Sequence, residues 1–283
     1  MGVQLFKTGI RLFSLQMVLT SFFLLSSCGG DDEAAPEQPA LRPTLPAEGA
    51  APVRSITHWG HVIPCYDWEF SYVNGRLVTG KGILRDPLAS IDRTFSYTNT
   101  LGYGPSSVSM STSNNEAVKL QLNSAGYIDK MTVNRDTYEF NYLDGRLVRW
   151  NKITFGNSLG QITQVVSGAT LEYKNGDLSC IKYTKNQIEP ITLTFETSDI
   201  VNRNGLLPET VSEEMGCLGF ENLYYAGLLG RPTIHLVRSV TIENLHNPDK
   251  NRTTRFEYST ATGNTDLCTY HYDGQPTSVN YLY

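Results

Sequence analysis

Short runs of alternating apolar and polar residues fill most of the chain, and asparagine–glycine or aspartate–glycine pairs separate many of them. Phe70-Ser-Tyr-Val-Asn-Gly-Arg-Leu77, Phe140-Asn-Tyr-Leu-Asp-Gly-Arg-Leu147 and Leu171-Glu-Tyr-Lys-Asn-Gly-Asp-Leu178 share one template: apolar, any, Tyr, any, Asn or Asp, Gly, any, Leu. Looser copies cover Leu122–Ile128 and Tyr270–Gly274. A type I′ turn needs φ > 0 at both central residues, which Asn, Asp and Gly tolerate. Asn74-Gly75, Asp144-Gly145 and Asn175-Gly176 are therefore predicted two-residue hairpin turns.

A two-residue turn sets the register. Tyr72 then faces Leu77 and Phe70 faces Thr79, so Phe70, Tyr72 and Leu77 share a face, with Trp68 and Tyr66 further along it. The second hairpin places Tyr138, Phe140, Tyr142 and Leu147 on the equivalent face. The third places Leu171, Tyr173, Leu178 and Cys180 there. Irregular spacing between the turn glycines argues against a propeller or solenoid, whose period is fixed. The pattern predicts an all-β fold: an antiparallel up-and-down meander of hairpins, about fourteen to sixteen strands at ordinary lengths, curled into a barrel or half-barrel. Phe220, Leu223, Tyr224 and Leu228 break the alternation at helical spacing, with Gly230 and Pro232 as stop signals. One short helix near 220–229 is expected, within a cap or plug over Leu206–Pro232.

The first 27 residues read as a signal peptide. Lys7 and Arg11 make a positive start, Leu12–Leu25 an apolar core too short and interrupted for a membrane span. Leu25-Ser26-Ser27-Cys28 resembles a bacterial lipobox, in which the Cys28 thiol accepts a diacylglycerol. Several acyl chains, palmitate among them, would anchor stably where a single chain is marginal. Asp31, Asp32 and Glu33 follow, an acidic triplet similar to the export signal of Bacteroidetes surface lipoproteins. Residues 28–54 form a tether with Pro36, Pro39, Pro43, Pro46, Pro52 and no aromatic residue, too poor in apolar groups to order itself. Extended, it spans roughly 80 Å at about 3.1 Å per residue. Residues 55–283 form one domain, within the about 200–250 residues common for all-β barrels.

Charge narrows the partners. The formal charge is −5, from 23 basic and 28 acidic residues, and loss of Lys7 and Arg11 with the leader takes it to −7. With no basic run, nucleic acid is not an expected partner. An electrostatic grip on anionic lipid is disfavoured too, so membrane attachment rests on Cys28, and the expected location is the outer membrane, lipid-anchored at the cell surface.

The hairpin repeats, Leu206-Leu207-Pro208, the stretch Tyr224-Tyr-Ala-Gly-Leu-Leu-Gly-Arg-Pro-Thr233 and Val237-Arg-Ser-Val240 together resemble a family of Bacteroidetes lipoproteins of unknown function with a domain described as porin-like. The hairpin template alone is distantly similar to YD repeats. Ile234-His235-Leu236, at the junction from the helix into the following strand, departs from the family, where a more polar run ending in Leu-Pro is expected. The resemblance implies a barrel-like β domain outside the cytoplasm and no activity; "porin-like" describes shape.

Catalytic signatures are missing: no Gly-x-Ser-x-Gly, His-Glu-x-x-His, P-loop or Gly-x-Gly-x-x-Gly occurs. His58 and His61 stand three apart, which on a strand points them to opposite faces, so no metal site is expected. No cofactor is expected either. Cys65, Cys180, Cys217 and Cys268 allow three disulfide connectivities, but Cys180 and Cys268 fall on apolar faces, where thiols act as small hydrophobes. Counted from the Asp144-Gly145 turn, Trp150 lies with Arg146, Val148 and Lys152 on the polar face, opposite Glu139. An exposed indole there is a candidate for stacking on a sugar or partner; a bulge would turn it inward instead. The expected function is a non-catalytic binding or structural module with a glycan or protein ligand. The alternative is a cell-envelope carbohydrate hydrolase, which needs two carboxyls about 5–10 Å apart.

Overall fold

A computed structural model describes residues 50–59, 65–85, 94–113, 117–158, 161–184, 191–207, 220–260, 263–272 and 275–283. The leader, Cys28, the acidic triplet Asp31, Asp32 and Glu33, and nearly all of the tether lie outside these residues. The strands are β1 (Ser55–Trp59), β2 (Cys65–Val73), β3 (Arg76–Arg85), β4 (Thr94–Tyr103), β5 (Ser107–Thr112), β6 (Ala117–Leu122), β7 (Ile128–Val133) and β8 (Asp136–Leu143). They continue with β9 (Arg146–Ser158), β10 (Gln161–Lys174), β11 (Asp177–Thr184), β12 (Ile191–Val201), β13 (His235–Asn244), β14 (Arg252–Ser259), β15 (Leu267–Tyr272) and β16 (Gln275–Leu282). Each pairs antiparallel with its neighbours in sequence, and β16 returns to β1 through Ser55↔Leu282 and Ile56↔Tyr281. The meander is thus a closed barrel of sixteen strands, which removes exposed sheet edges around the wall. A single α-helix among the described residues, α1 (Phe220–Tyr225), is shorter than the expected 220–229, because Gly227 at φ +75° turns the chain out of it.

Both residues of each repeat turn have positive φ: 50° and 73° at Asn74-Gly75, 51° and 76° at Asp144-Gly145, 53° and 87° at Asn175-Gly176. Beyond the turns the register departs from simple counting. Tyr72 pairs with Leu77, but Ser71 pairs with Thr79, leaving Val78 as an extra residue. The same shift follows Tyr142↔Leu147, Tyr173↔Leu178 and Leu122↔Ile128, where Val148, Ser179 and Asp129 are the extra residues. Each repeat thus carries a β-bulge, and a one-residue slip sends every later side chain to the opposite face. Phe70 consequently faces Gly80, not Thr79. Ile181, not Cys180, enters the core. A bulge also disturbs the ladder, and a tyrosine hydroxyl from a neighbouring hairpin helps satisfy the carbonyl beside it. Tyr103 Oη donates to the Leu77 carbonyl at 2.7 Å, and Tyr142 Oη to that of Ile128 at 2.8 Å.

The inward faces are apolar and closely packed: Ile56, Trp68, Phe70, Leu77, Met110, Leu120, Met131, Phe140, Ile181, Leu193 and Tyr270 all belong to one core. The outward faces carry charge on strand after strand, with Glu69, Lys119, Lys130, Glu139, Arg149, Glu172, Lys182, Glu196, Arg238 and Arg255 exposed. A membrane-spanning barrel has the reverse arrangement, an apolar outer band around a polar lumen. The wall is therefore that of a water-facing barrel with a filled interior.

Gly176 combines two demands. Its φ is +87°, and a Cβ there would lie 2.4 Å from Ile234 Cδ1. Gly176→Ala is expected to cost about 1–3 kcal/mol, read from denaturant unfolding. Gly75, at +73° with open space around its Cβ position, isolates the φ effect. An equal loss at both sites would show that contact with Ile234 adds nothing.

Candidate functional site

The β12–β13 connection closes the end of the barrel that holds the repeat turns. Leu206, Leu207 and Leu223–Leu229 are buried there. The Arg231 N–H donates to the Gly145 carbonyl at 2.7 Å, and Ile128 N–H to that of Leu228 at 2.9 Å. Asp177 fastens the last part of the plug. Its Oδ1 accepts from the His235 N–H at 2.8 Å and from Thr233 Oγ1 at 3.0 Å, while Oδ2 lies 2.8 Å from His235 Nδ1. In the first two repeats arginine occupies the position of Asp177: Arg76 and Arg146 lie over the rings of Tyr103 and Tyr173. Aspartate in place of the arginine of the first two repeats was the sequence signal for this latch, and His235, part of the unexpected Ile234-His235-Leu236, is its other half.

Burial raises the Asp177 pKa, but the hydrogen bonds from His235 and Thr233 outweigh it and hold the carboxyl below its ordinary value. A depressed folded-state pKa contributes stability that is present above the unfolded carboxylate value, near 4, and is lost as pH falls through the folded value. Asp177→Asn is therefore expected to narrow the difference in melting temperature between neutral pH and about pH 3. An unchanged pH profile would show the latch to be electrostatically silent.

Among the described residues, the space beneath the plug is narrow. Crevices of about 20 and 40 Å³ remain beneath the plug, one lined by Leu206, Phe256 and Tyr270, the other by Leu171, Tyr173 and Tyr224. By this measure about 10–15 Å³ suffices for one water, so each crevice has room for no more than a few water molecules. The tyrosine-rich repeat faces are core, not the lining of an open mouth.

Concave space lies instead on the outer wall, across β9–β12. A trough of about 460 Å³ runs over Gly168 between Arg149 and Asn151 on β9, Val166 and Thr170 on β10, Lys182 and Thr184 on β11, and Thr192 on β12. Gly168 shapes its floor: a Cβ there would come within 2.4 Å of the Trp150 carbonyl oxygen and 2.8 Å of Asn151 Oδ1. A glycine inside a long strand marks close backbone approach, and this was the available sequence signal. Arg149 Nε donates to Asn151 Oδ1 at 3.4 Å. Lys182 Nζ donates to Glu172 Oε1 at 2.6 Å, which holds its ammonium pKa up. Hydroxyls, an amide and two cations thus line the trough, a set suited to hydrogen-bonding a polar ligand.

Trp150, expected on the polar face, is 3% exposed. The bulge at Val148 turns it inward, where it pairs with Phe140 and Ala169 and meets Tyr183 edge-on at 6.4 Å. Its neighbours Arg149 and Asn151 take the outward positions instead. Lys152 is also inward, bonded to Asp136 at 2.8 Å at the other end of the barrel. Cys180 is half-buried opposite Glu172, and burial, then that carboxylate, push its thiol pKa up. Cys268 is buried. His61 and Cys217 lie outside the described residues. Among the described residues no cluster of three or more His, Cys, Asp or Glu could hold a metal.

Fold and wall define a class: a closed β-barrel in the outline of a porin, with its lumen filled and capped by its own chain. Residues 70–277 match the family described as a domain of unknown function (DUF4595) with porin-like fold, and the chain belongs to that family. The solved structure of a porin-like protein from Bacteroides uniformis ATCC 8492 superimposes with a TM-score of 0.63 at 18% identity, over 82% of this chain and 98% of that one. A porin-like protein from Bacteroides vulgatus ATCC 8482 gives a TM-score of 0.49 at 10% identity, over 83% and 99%. No curated protein matches the chain.

Proposed function

We propose that the protein is a non-catalytic binding module of the cell envelope, held to the outer membrane by lipid on Cys28, exported to the surface under the direction of Asp31, Asp32 and Glu33, and carried on the 28–54 tether. The observation that carries this reading is the inverted polarity of the barrel. An apolar interior beneath a plug speaks against a conducting lumen, and a charged wall speaks against burial in lipid. Binding then falls to the outer wall, where the trough over Gly168 offers the hydrogen-bonding groups that a glycan or an extended protein segment requires.

Binding of the full-length protein to an array of neutral and acidic glycans tests this reading. The double change Arg149→Ala and Lys182→Ala is expected to weaken binding about tenfold or more, since hydrogen bonds to charged groups each contribute about 1.5–3 kcal/mol. Exposed changes of this kind should leave the melting temperature nearly unaltered. Binding that survives the double change moves the site elsewhere. Turnover of a glycan, abolished by one Asp or Glu substitution, overturns the reading in favour of a hydrolase. In the same cells Cys28→Ala should abolish labelling by a lipid precursor and release the protein from membranes.

A further inference from the structure

We propose, on the reading of the protein as a binding module, that the trough over Gly168 selects glycans that carry carboxylates. Arg149 and Lys182 take the acid group, and the sugar ring lies against the Gly168 line. Strand register lays the trough out in rows. Arg149↔Thr170, Thr170↔Lys182 and Lys182↔Thr192 are directly opposed pairs, so these four residues form one line across β9, β10, β11 and β12. Asn151↔Gly168 and Gly168↔Thr184 form the next line, about 7 Å further along the strands. Ile153↔Val166 forms a third.

The three lines differ in chemistry. The first is cationic: Arg149 and Lys182 stand two strands apart, about 10 Å at the backbone, with Thr170 between them, and all three are exposed. Among the described residues no carboxylate pairs with Arg149, whose Nε–H is turned to Asn151 Oδ1. Its Nη groups are left for a ligand, and a guanidinium takes a planar carboxylate two-pronged. The middle line has no side chain at its centre, with the Asn151 carboxamide to one side of Gly168 and the Thr184 hydroxyl to the other. The third line is apolar, and Val166 is 38% exposed. A uronic acid ring has hydroxyls at its edge, C–H groups on its faces and one carboxylate, and these three lines match those three parts. An extended peptide instead needs unpaired strand backbone, and the first two lines lie within paired ladders.

Two carboxylates border the trough and set how much of its charge a ligand feels. Glu172 lies 2.6 Å from Lys182 Nζ. Glu139 stands opposite Asn151 on β8, with Lys130 across from it on β7. A carboxylate arriving on the first line competes with Glu172 for the Lys182 ammonium. The chain's net charge of −5 repels polyanions at a distance, so their capture reports the local cations and not a diffuse field.

Polygalacturonate and its fully methyl-esterified form share one sugar backbone and differ in the charge of the carboxyl. The full-length protein is expected to bind the acid form about tenfold or more tightly than the ester, and Arg149→Gln with Lys182→Gln to erase that difference. Glu172→Gln with Glu139→Gln should tighten the acid form about threefold, the scale of exposed charge pairs. Melting temperatures of these exposed variants are expected to stay near the native value, so a loss of binding is not a loss of fold. Equal binding of acid and ester, or a difference that survives the double change at Arg149 and Lys182, would overturn the charge selection and leave the trough a site for neutral glycans. Polyglutamate bound as tightly as polygalacturonate would overturn the choice of a sugar. Binding of neither form, nor of any glycan on the array, would overturn the binding reading together with the selection.

Discussion

Trp150→Ala is expected to lower the free energy of unfolding by about 3–5 kcal/mol, the range for truncating a buried tryptophan. The indole lies among Phe140, Ala169 and Tyr183, and the surrounding strands are tied into a closed ladder that has little freedom to collapse onto the space left behind. The adjacent Arg149→Ala provides the contrast. Its side chain is exposed, and its removal should change stability by no more than about 0.5 kcal/mol. Denaturant titration of both variants decides the face on which residue 150 lies. A loss below about 1 kcal/mol at Trp150, as for an ordinary surface site, would contradict the bulge at Val148.

An effect of similar size is expected where the plug helix meets the wall. A Cβ on Gly80 would fall 1.3 Å from Asn222 Oδ1, and Asn222 is fully buried on α1. Side chain and glycine therefore fill one place, and a residue with a branched Cβ forces α1 off β3. Overpacking commonly costs about 1–3 kcal/mol, and Gly80→Val should reach the top of that range or exceed it. Asn222→Ala alone should cost little, since the Asn222 amide atoms are buried without a hydrogen-bond partner. The double variant Gly80→Ala with Asn222→Ala should lose less than Gly80→Ala alone, with a coupling of at least about 1 kcal/mol. Additive losses would show that the two residues do not compete for space.

Local chemistry made the turns and the order of strands legible in the chain. Asn74-Gly75, Asp144-Gly145 and Asn175-Gly176 announce hairpins because few residues accept positive φ at two successive positions. Hairpins joined by short connections leave each strand beside its sequence neighbour, so the meander follows from the turns. The plug was legible as well, since Phe220, Leu223 and Tyr224 break the two-residue period of their surroundings.

Tertiary structure alone decided what depends on bulges and on long-range approach. A bulge carries no residue signature in these repeats: Val78, Val148 and Ser179 look like ordinary strand positions, yet each reverses the faces that follow it. Trp150 and Cys180 thereby exchanged the environments that counting assigns them, and the candidate site moved from an indole to its neighbours Arg149 and Asn151. Closure of the barrel required β16 to find β1 across the whole domain, a pairing no local pattern encodes. Likewise, Gly80 and Gly168 read only as weak points in strands until Asn222 and the Trp150 carbonyl are seen against them. The sequence by itself determined where the chain turns, because positive φ is a property of single residues. Which faces turned inward, and what filled them, was determined by register and by contacts between residues far apart in the chain.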